Sequence, residues 1–217
     1  MLAACYLFGW FTMLTDDYGQ LGRNIAAGAG FVSNIVLLLD RVSYFDLTTT
    51  AKPLLHLWSL GIEEQFYLFW PFLLWVGHKR SLPPLLMILL IGILSFAWNL
   101  MSIGTNPHVT YYSPLTRFWE LMCGSLLAWV MVKGVTPWAS IRSMLGERLA
   151  GDTAWIPGFA AVAGLLLVGY GFFYISEKGF PGMAAVVPVL GTMLVIAAGA
   201  TAWPNRILSH RLLMTHI

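Results

Sequence analysis

Hydrophobic and polar positions alternate along this chain in long blocks. Apolar segments of helical length are separated by short polar stretches, and they run over 2–15, 25–39, 54–76, 83–103, 116–133, 155–176 and 183–201. Roughly 20 apolar residues are needed to cross the hydrocarbon core of a bilayer as a helix. The pattern therefore predicts an all-α fold, a polytopic transmembrane helical bundle with about 6–7 membrane segments. The first two segments are short, which leaves open that one of them is re-entrant or interfacial.

The composition supports a membrane protein and argues against a soluble domain or a nucleic-acid-binding protein. Hydrophobic residues make up 58% of the chain and charged residues only 10%, whereas soluble domains carry about 25% charged residues. The net charge of +2, with no run of Lys or Arg, excludes a nucleic-acid partner. Cys5 and Cys123 lie in apolar segments without ligand-like spacing, so no disulfide framework and no metal site are expected.

Positive charges in the loops predict how the segments are oriented. Lys79 and Arg80 lie in one short loop, and loops rich in Lys and Arg stay on the cytoplasmic side. The loop after the next segment would then face outward. Tyr111 and Tyr112, which follow that loop, are expected to anchor the chain in the aromatic belt at the membrane surface.

The segment 54–76 carries polar residues that an anchoring helix does not need. His56, Ser59, Glu63 and Tyr67 are spaced so that one helix face, roughly 80° wide, would hold all four. We call this set the polar stripe; Gln65 points away from it. A carboxylate inside a membrane is costly and normally faces a polar cavity or a partner. The pattern predicts a functional face, with a polar seam that only joins helices as the alternative.

A second pair of charges lies on the segment 116–133. Arg117 and Glu120 are three residues apart, so they can pair on one helix face. The predicted orientation brings this pair and Glu63 to the same outer half of the membrane. A cavity shared by these groups would explain their burial, and an ion pair that only fixes packing is the alternative.

Several stretches together resemble a known family. HLWSLGIEEQFYLFWP at 56–71 is similar to the signature of the membrane-bound acyltransferase family 3, which O-acylates bacterial surface polysaccharides and nodulation factors. FVSNIVLL at 31–38, RFWELMCGSLLA at 117–128 and FPGMAAVVPVLGTMLVIAAG at 180–199 resemble segments on either side of that signature. The resemblance covers nearly the whole chain, as one acyltransferase-like transmembrane domain over 1–217.

The resemblance implies an activity and a set of site residues. The expected enzyme is multi-pass in the bacterial inner membrane, among membrane lipids. It transfers an acyl group, acetyl above all, from acetyl-CoA (acyl-CoA) to a hydroxyl of an envelope or exported carbohydrate such as O-antigen or lipopolysaccharide. Glu63 and His56 are the catalytic candidates. The substrate-binding candidates are Trp58, Ser59, Tyr67, Arg117 and Glu120.

The family's catalytic histidine in its first helix, and the Arg-x-x-Arg loop that follows, have no counterpart in this sequence. We therefore expect a fragment, truncated at both ends and inactive alone. His56 and Glu63 are two helical turns apart, which makes direct contact between them unfavourable.

Two other functions remain open from the residues themselves. A proton-coupled transporter or flippase for a glycan precursor would use the polar stripe as a proton or substrate path. A structural membrane subunit would use it only for packing. Loss of Glu63 would change export and leave acylation intact in the first case, and would change neither in the second.

Overall fold

The computed structural model describes residues 1–40, 54–134, 138, 155–175, 179–200 and 202–209. Across these ranges the chain is helical and contains no strand, which confirms the all-α prediction. Residues 41–53, which precede the helix of the polar stripe, lie outside the described residues.

Long helices alternate with short ones along the chain. The helices are α1 (Leu2–Thr12), α2 (Thr15–Ala29), α3 (Ser33–Leu39), α4 (Leu57–Lys79), α5 (Pro84–Ile103), α6 (Pro107–Tyr112), α7 (Pro114–Val132), α8 (Trp155–Tyr174), α9 (Val186–Ala198) and α10 (Trp203–Leu208), with a 3-10 turn at Met183–Ala185 before α9.

Within the described residues, 3 stretches are long and apolar enough to cross a membrane: Pro84–Ile103, Pro107–Val132 and Trp155–Tyr174. Leu2–Thr12 and Met183–Ala198 are apolar but shorter. Helix α4 has 23 residues, yet its polar side chains make it less apolar than these stretches. The chain is thus a helical membrane protein, and the helix that carries the polar stripe is not among its candidate membrane spans.

The N-terminal boundaries differ from the predicted segments 2–15 and 25–39. Helix α1 ends at Thr12, and α2 then includes Asp16 and Asp17, which lie between those two predicted segments. Acidic side chains in a first turn interact favourably with the helix dipole, so these charges begin a helix instead of ending one. A break at Gly30–Val32 then separates α2 from α3. Arg23 of α2 and Asp40, directly after α3, form an ion pair across this region.

The chain divides into two compact units, Met1–Leu121 and Met122–Ile217, with the division inside α7. In the first unit, hydrogen bonds tie α5 to the start of α7. The Ser95 hydroxyl donates to the carbonyl of Leu115 at 2.6 Å and accepts from the backbone N–H of Trp119 at 3.0 Å. Buried Asn99 donates to the carbonyl of Thr116 at 3.0 Å. These polar contacts fix the first turn of α7, which carries Arg117.

In the second unit, α8 and α9 approach so closely that glycine is needed at the crossing. A Cβ added at Gly164 would lie 2.5 Å from the carbonyl oxygen of Gly191, and one added at Gly191 would lie 2.7 Å from that of Gly164. Small residues at such crossings let helix backbones meet in a membrane. The Asn205 side chain of α10 donates to the carbonyls of Val195 and Gly199 at 2.8 and 2.9 Å and closes the end of α9.

Candidate functional site

The polar stripe lies along an exposed face of α4 in the first unit. Ser59 and Glu63 are exposed, and Tyr67 is 60% exposed. His56 occupies the N-cap position and is also exposed. The Ser59 hydroxyl donates to the His56 carbonyl at 3.3 Å, within the first turn. The stripe therefore lies along one continuous helix, as its spacing predicted. Pro71 lies inside the same helix, beyond Tyr67.

The two catalytic candidates are not brought together. His56 and Glu63 are separated by seven positions along α4, which is about 10 Å of helix rise. In the described part of the chain, no hydrogen bond or ion pair joins their side chains. An acid–base dyad between them is thus not formed, as their spacing indicated, and each presents its polar group separately on the exposed face.

Trp58 lies on the opposite side of α4 and is buried, with 6% of its surface exposed. Its ring centroid is 4.7 Å from that of Tyr111 and 5.4 Å from that of Tyr112, both at the end of α6. The Arg117 guanidinium carbon lies 5.5 Å from the Trp58 ring and 5.8 Å from the Tyr111 ring. We call Trp58, Tyr111, Tyr112 and Arg117 the aromatic–arginine cluster.

The guanidinium group in this cluster is stabilised from two directions. A cation within about 6 Å of an aromatic face is attracted by the ring quadrupole, more strongly when it is desolvated. The Arg117 Nη1 atom also lies 3.2 Å from a carboxylate oxygen of Glu120, and the two side chains are 15% and 22% exposed. The predicted pairing of Arg117 with Glu120 is confirmed. Since Trp58 contacts the same arginine, three of the substrate-binding candidates meet at one place.

Tyr111 and Tyr112 were expected as anchors in the aromatic belt, but the structure packs both side chains inside the protein. Tyr112 is fully buried and Tyr111 is 9% exposed. Their rings pack in the first unit because α6 is a separate short helix that leads directly into α7. The arrangement of Trp58 and these tyrosines depends on the tertiary fold, so no spacing in the sequence could have indicated it.

The site thus has two parts on two sides of α4. One is the exposed polar stripe with Glu63, and the other is the largely buried aromatic–arginine cluster with Glu120. No ion pair joins Glu63 to Arg117 among the described residues. An exposed carboxylate can accept a hydrogen bond or a proton, whereas the clustered arginine is suited to holding structure or fixed charge.

The chain is similar to membrane acyltransferases. It is 43% identical over 107 residues to the peptidoglycan O-acetyltransferase OatA of Listeria monocytogenes, across 46% of this chain and 17% of that protein. It is 30% identical over 169 residues to the O-acetyltransferase OatA of Staphylococcus aureus, across 74% and 27% of the two chains. It is 29% identical over 188 residues to a protein of Komagataeibacter xylinus named as a membrane-bound transacylase, BcsY, across 85% and 43%.

The chain spans less than half the length of each of these three relatives. The named relatives are acyltransferases, and the Listeria protein is named for action on peptidoglycan, a carbohydrate of the cell envelope. No protein-family model matches the chain. No solved structure matches it either.

Proposed function

We propose that this chain forms part of a membrane O-acyltransferase that transfers an acyl group, acetyl above all, to a hydroxyl of a cell-envelope carbohydrate. The observation that carries the proposal is the sequence similarity to two O-acetyltransferases, at 43% and 30% identity. The exposed Glu63, in the second turn of α4 within a largely apolar chain, supports it. An intramembrane carboxylate is costly and is retained where chemistry or transport uses it.

The reaction needs a base, a stabilised oxyanion and an acyl donor. With acetyl-CoA as donor, the acceptor hydroxyl loses its proton to a base while its oxygen forms a bond to the thioester carbonyl carbon. The carbon–sulfur bond then breaks, and the coenzyme leaves as a thiol after its sulfur takes up a proton. Glu63 would accept a proton or orient the base. His56 is the other catalytic candidate, at the outer end of the same stripe.

The substrate-binding residues divide between the two sides of α4. Ser59 and Tyr67 lie on the exposed side with Glu63, where their hydroxyls would contact the carbohydrate. Trp58 and Tyr111 are buried, and the Arg117 guanidinium, 15% exposed, lies over their rings. We therefore assign the polar stripe to direct contact with the carbohydrate acceptor. The aromatic–arginine cluster, on the other side of α4, would support that helix.

Peptidoglycan is the first acceptor to test, because it is the carbohydrate in the name of the Listeria relative. O-antigen and lipopolysaccharide, suggested by the family resemblance, are the other envelope carbohydrates to assay. The setting would be the inner membrane of a bacterium, crossed several times, with membrane lipids around the helices.

The test is deletion of the coding sequence in its native host, followed by complementation with the natural chain or with Glu63→Gln. Acetate released by mild base from purified envelope carbohydrate is measured for each strain. We expect the deletion to lower ester-linked acetate, the natural chain to restore it, and Glu63→Gln to fail although the protein is present in the membrane. Unchanged acetate after deletion would overturn the proposal.

The same strains distinguish the transport alternative. A flippase or transporter would lower the amount of surface carbohydrate and leave the acetate content per sugar unchanged. An acyltransferase would lower the acetate per sugar and leave the amount of carbohydrate unchanged. The ratio of acetate to sugar therefore decides between these two functions.

A further inference from the structure

Two side-chain amides, Asn34 of α3 and Gln65 of α4, face each other inside the first unit. The Gln65 Nε2 atom donates to Asn34 Oδ1 at 2.9 Å, and Asn34 Nδ2 lies 3.5 Å from Gln65 Oε1. Asn34 is fully buried. We call these two residues the amide clamp, since each amide holds the other with a donor and an acceptor.

The clamp also takes in backbone from two further segments. Gln65 Nε2 donates to the Phe31 carbonyl at 2.8 Å, and Asn34 Nδ2 donates to the Tyr112 carbonyl at 3.3 Å. Phe31 has a positive φ of 55°, which is rare for a bulky residue and requires support from its surroundings. Tyr112 is the last residue of α6. The clamp therefore joins α4 to the turn before α3, to α3 itself and to the end of α6.

Glycine at position 61 lets the two helices come this close. A Cβ added at Gly61 would lie 3.0 Å from Asn34 Oδ1 and 3.0 Å from the Phe31 carbonyl oxygen. Gly61 and Gln65 are four residues apart, so both lie on the side of α4 that faces α3. This side of α4 is thus fixed by close backbone contact and by directional hydrogen bonds together.

The clamped side lies opposite the polar stripe. Gln65 is two residues after Glu63, which corresponds to about 200° around the helix axis. Gln65 is half-buried against α3, while Glu63 is exposed. Any rotation of α4 that moved Glu63 would break the hydrogen bonds of Gln65, because a helix turns as one rigid body.

We propose that the amide clamp sets the rotation of α4 about its axis and so aims the polar stripe, which makes Asn34 and Gln65 positioning residues for Glu63. Apolar contacts alone would not fix this angle, since they lack direction, whereas a buried amide that loses its partner is strongly disfavoured. The catalytic consequence rests on the proposed function; the rotational setting does not.

The rotation is measured by cysteine labelling in membranes, in a chain with Cys5→Ala and Cys123→Ala. Glu63→Cys reports the stripe, and Leu68→Cys reports a neighbouring apolar face about 140° away. A water-soluble maleimide should label position 63 faster than position 68. Adding Asn34→Leu or Gln65→Leu should bring the ratio of the two rates toward one; an unchanged ratio in both variants overturns the proposal.

A matched control and a milder variant separate rotation from general loss of fold. Asn205→Leu also removes an asparagine that donates two hydrogen bonds to carbonyls, but it lies in the second unit and should leave the ratio unchanged. Gln65→Asn shortens the clamp by one methylene and should lower the ratio, and adding Asn34→Gln should restore it. A ratio that stays low in this double variant overturns the direct pairing.

The effect on activity is a separate measurement. With Glu63 in place, Asn34→Leu should lower ester-linked acetate formation on the order of 100-fold, because small displacements of catalytic groups cost rates of that size. If Glu63→Gln leaves acetate formation intact, the proposed function fails while the labelling result stands. If Glu63→Gln abolishes it and Asn34→Leu does not alter it, the positioning role fails and the proposed function stands.

Discussion

Replacement of Gly164 by alanine tests the closest helix crossing in the molecule's second unit. The added Cβ would lie 2.5 Å from the Gly191 carbonyl oxygen and 2.8 Å from a methyl carbon of Val195. Ordinary carbon–oxygen contacts between helices begin at about 3.3 Å. The α8 and α9 backbones would therefore have to separate by roughly 0.8 Å at this point, and the backbone oxygen cannot move aside as a side chain does.

Gly169 of the same helix provides the matched control. A Cβ added there meets nothing within 4 Å. Both substitutions gain the helix propensity of alanine over glycine, about 0.5–1 kcal/mol. The propensity gain cancels when the two variants are compared, which leaves the overpacking cost of about 1–3 kcal/mol. Gly169→Ala should be more stable than the natural chain, and Gly164→Ala less stable than Gly169→Ala by that amount.

The assay is unfolding of the purified chain in mild detergent by increasing fractions of SDS, followed by far-ultraviolet circular dichroism. The free energies of unfolding of the two variants are compared with that of the natural chain. Equal stabilities, or a Gly164→Ala variant more stable than Gly169→Ala, would show that the two helices do not meet at these glycines. The reasoning about the crossing would then be refuted.

Further variants test the first unit. Arg117→Lys keeps the charge but loses the planar group over Trp58, so the free energy of unfolding should fall by about 0.5–2 kcal/mol; no change would contradict the contact. Ser95→Ala removes both hydrogen bonds from this hydroxyl to α7 and should cost about 1–3 kcal/mol in the same assay, and a neutral result would show that the bonds are not formed. In a background without native cysteines, an impermeant reagent added to cells should label Gly104→Cys and not Arg80→Cys, and the reverse pattern would invert the predicted orientation.

The long apolar helices were predictable because a single strong signal determines them. Helix α5 (Pro84–Ile103) matches the predicted segment 83–103 within one residue, and α8 (Trp155–Tyr174) begins where the segment 155–176 was placed. A run of about 20 apolar residues has few alternatives to a membrane helix. In both places local pattern and tertiary environment favour the same structure.

The prediction was wrong where polar residues were taken as separators. Asp16 and Asp17, between the predicted segments 2–15 and 25–39, lie in the first turn of α2. Trp203–Leu208, after the last predicted segment, forms the short helix α10. Charged or proline-containing stretches begin helices as well as end them, since acidic residues and Pro are favoured in the first turn. Hydropathy cannot distinguish these cases, because it scores polarity and not position within a helix.

In the candidate site, too, some features were predictable from the sequence and others were not. The Arg117–Glu120 pair and the polar stripe follow from spacing on one helix, and both are present in the structure. The contact of Trp58 with Tyr111 and the pairing of Asn34 with Gln65 join different helices. Such contacts depend on which faces meet, and the spacing of residues within one segment carries no information about that.

Gln65 illustrates what periodicity can and cannot provide. The helical repeat placed it away from the polar stripe, and the structure confirms that Gln65 is turned toward Asn34 and Phe31 instead. Periodicity gave no reason for a polar residue on that side. The reason is mechanical: a helix that presents a carboxylate in a fixed direction needs an equally directional attachment on its other side, and an amide hydrogen-bonded to a buried partner provides it. Glu63 and Gln65 therefore act together: the position of Glu63 depends on the hydrogen bonds of Gln65.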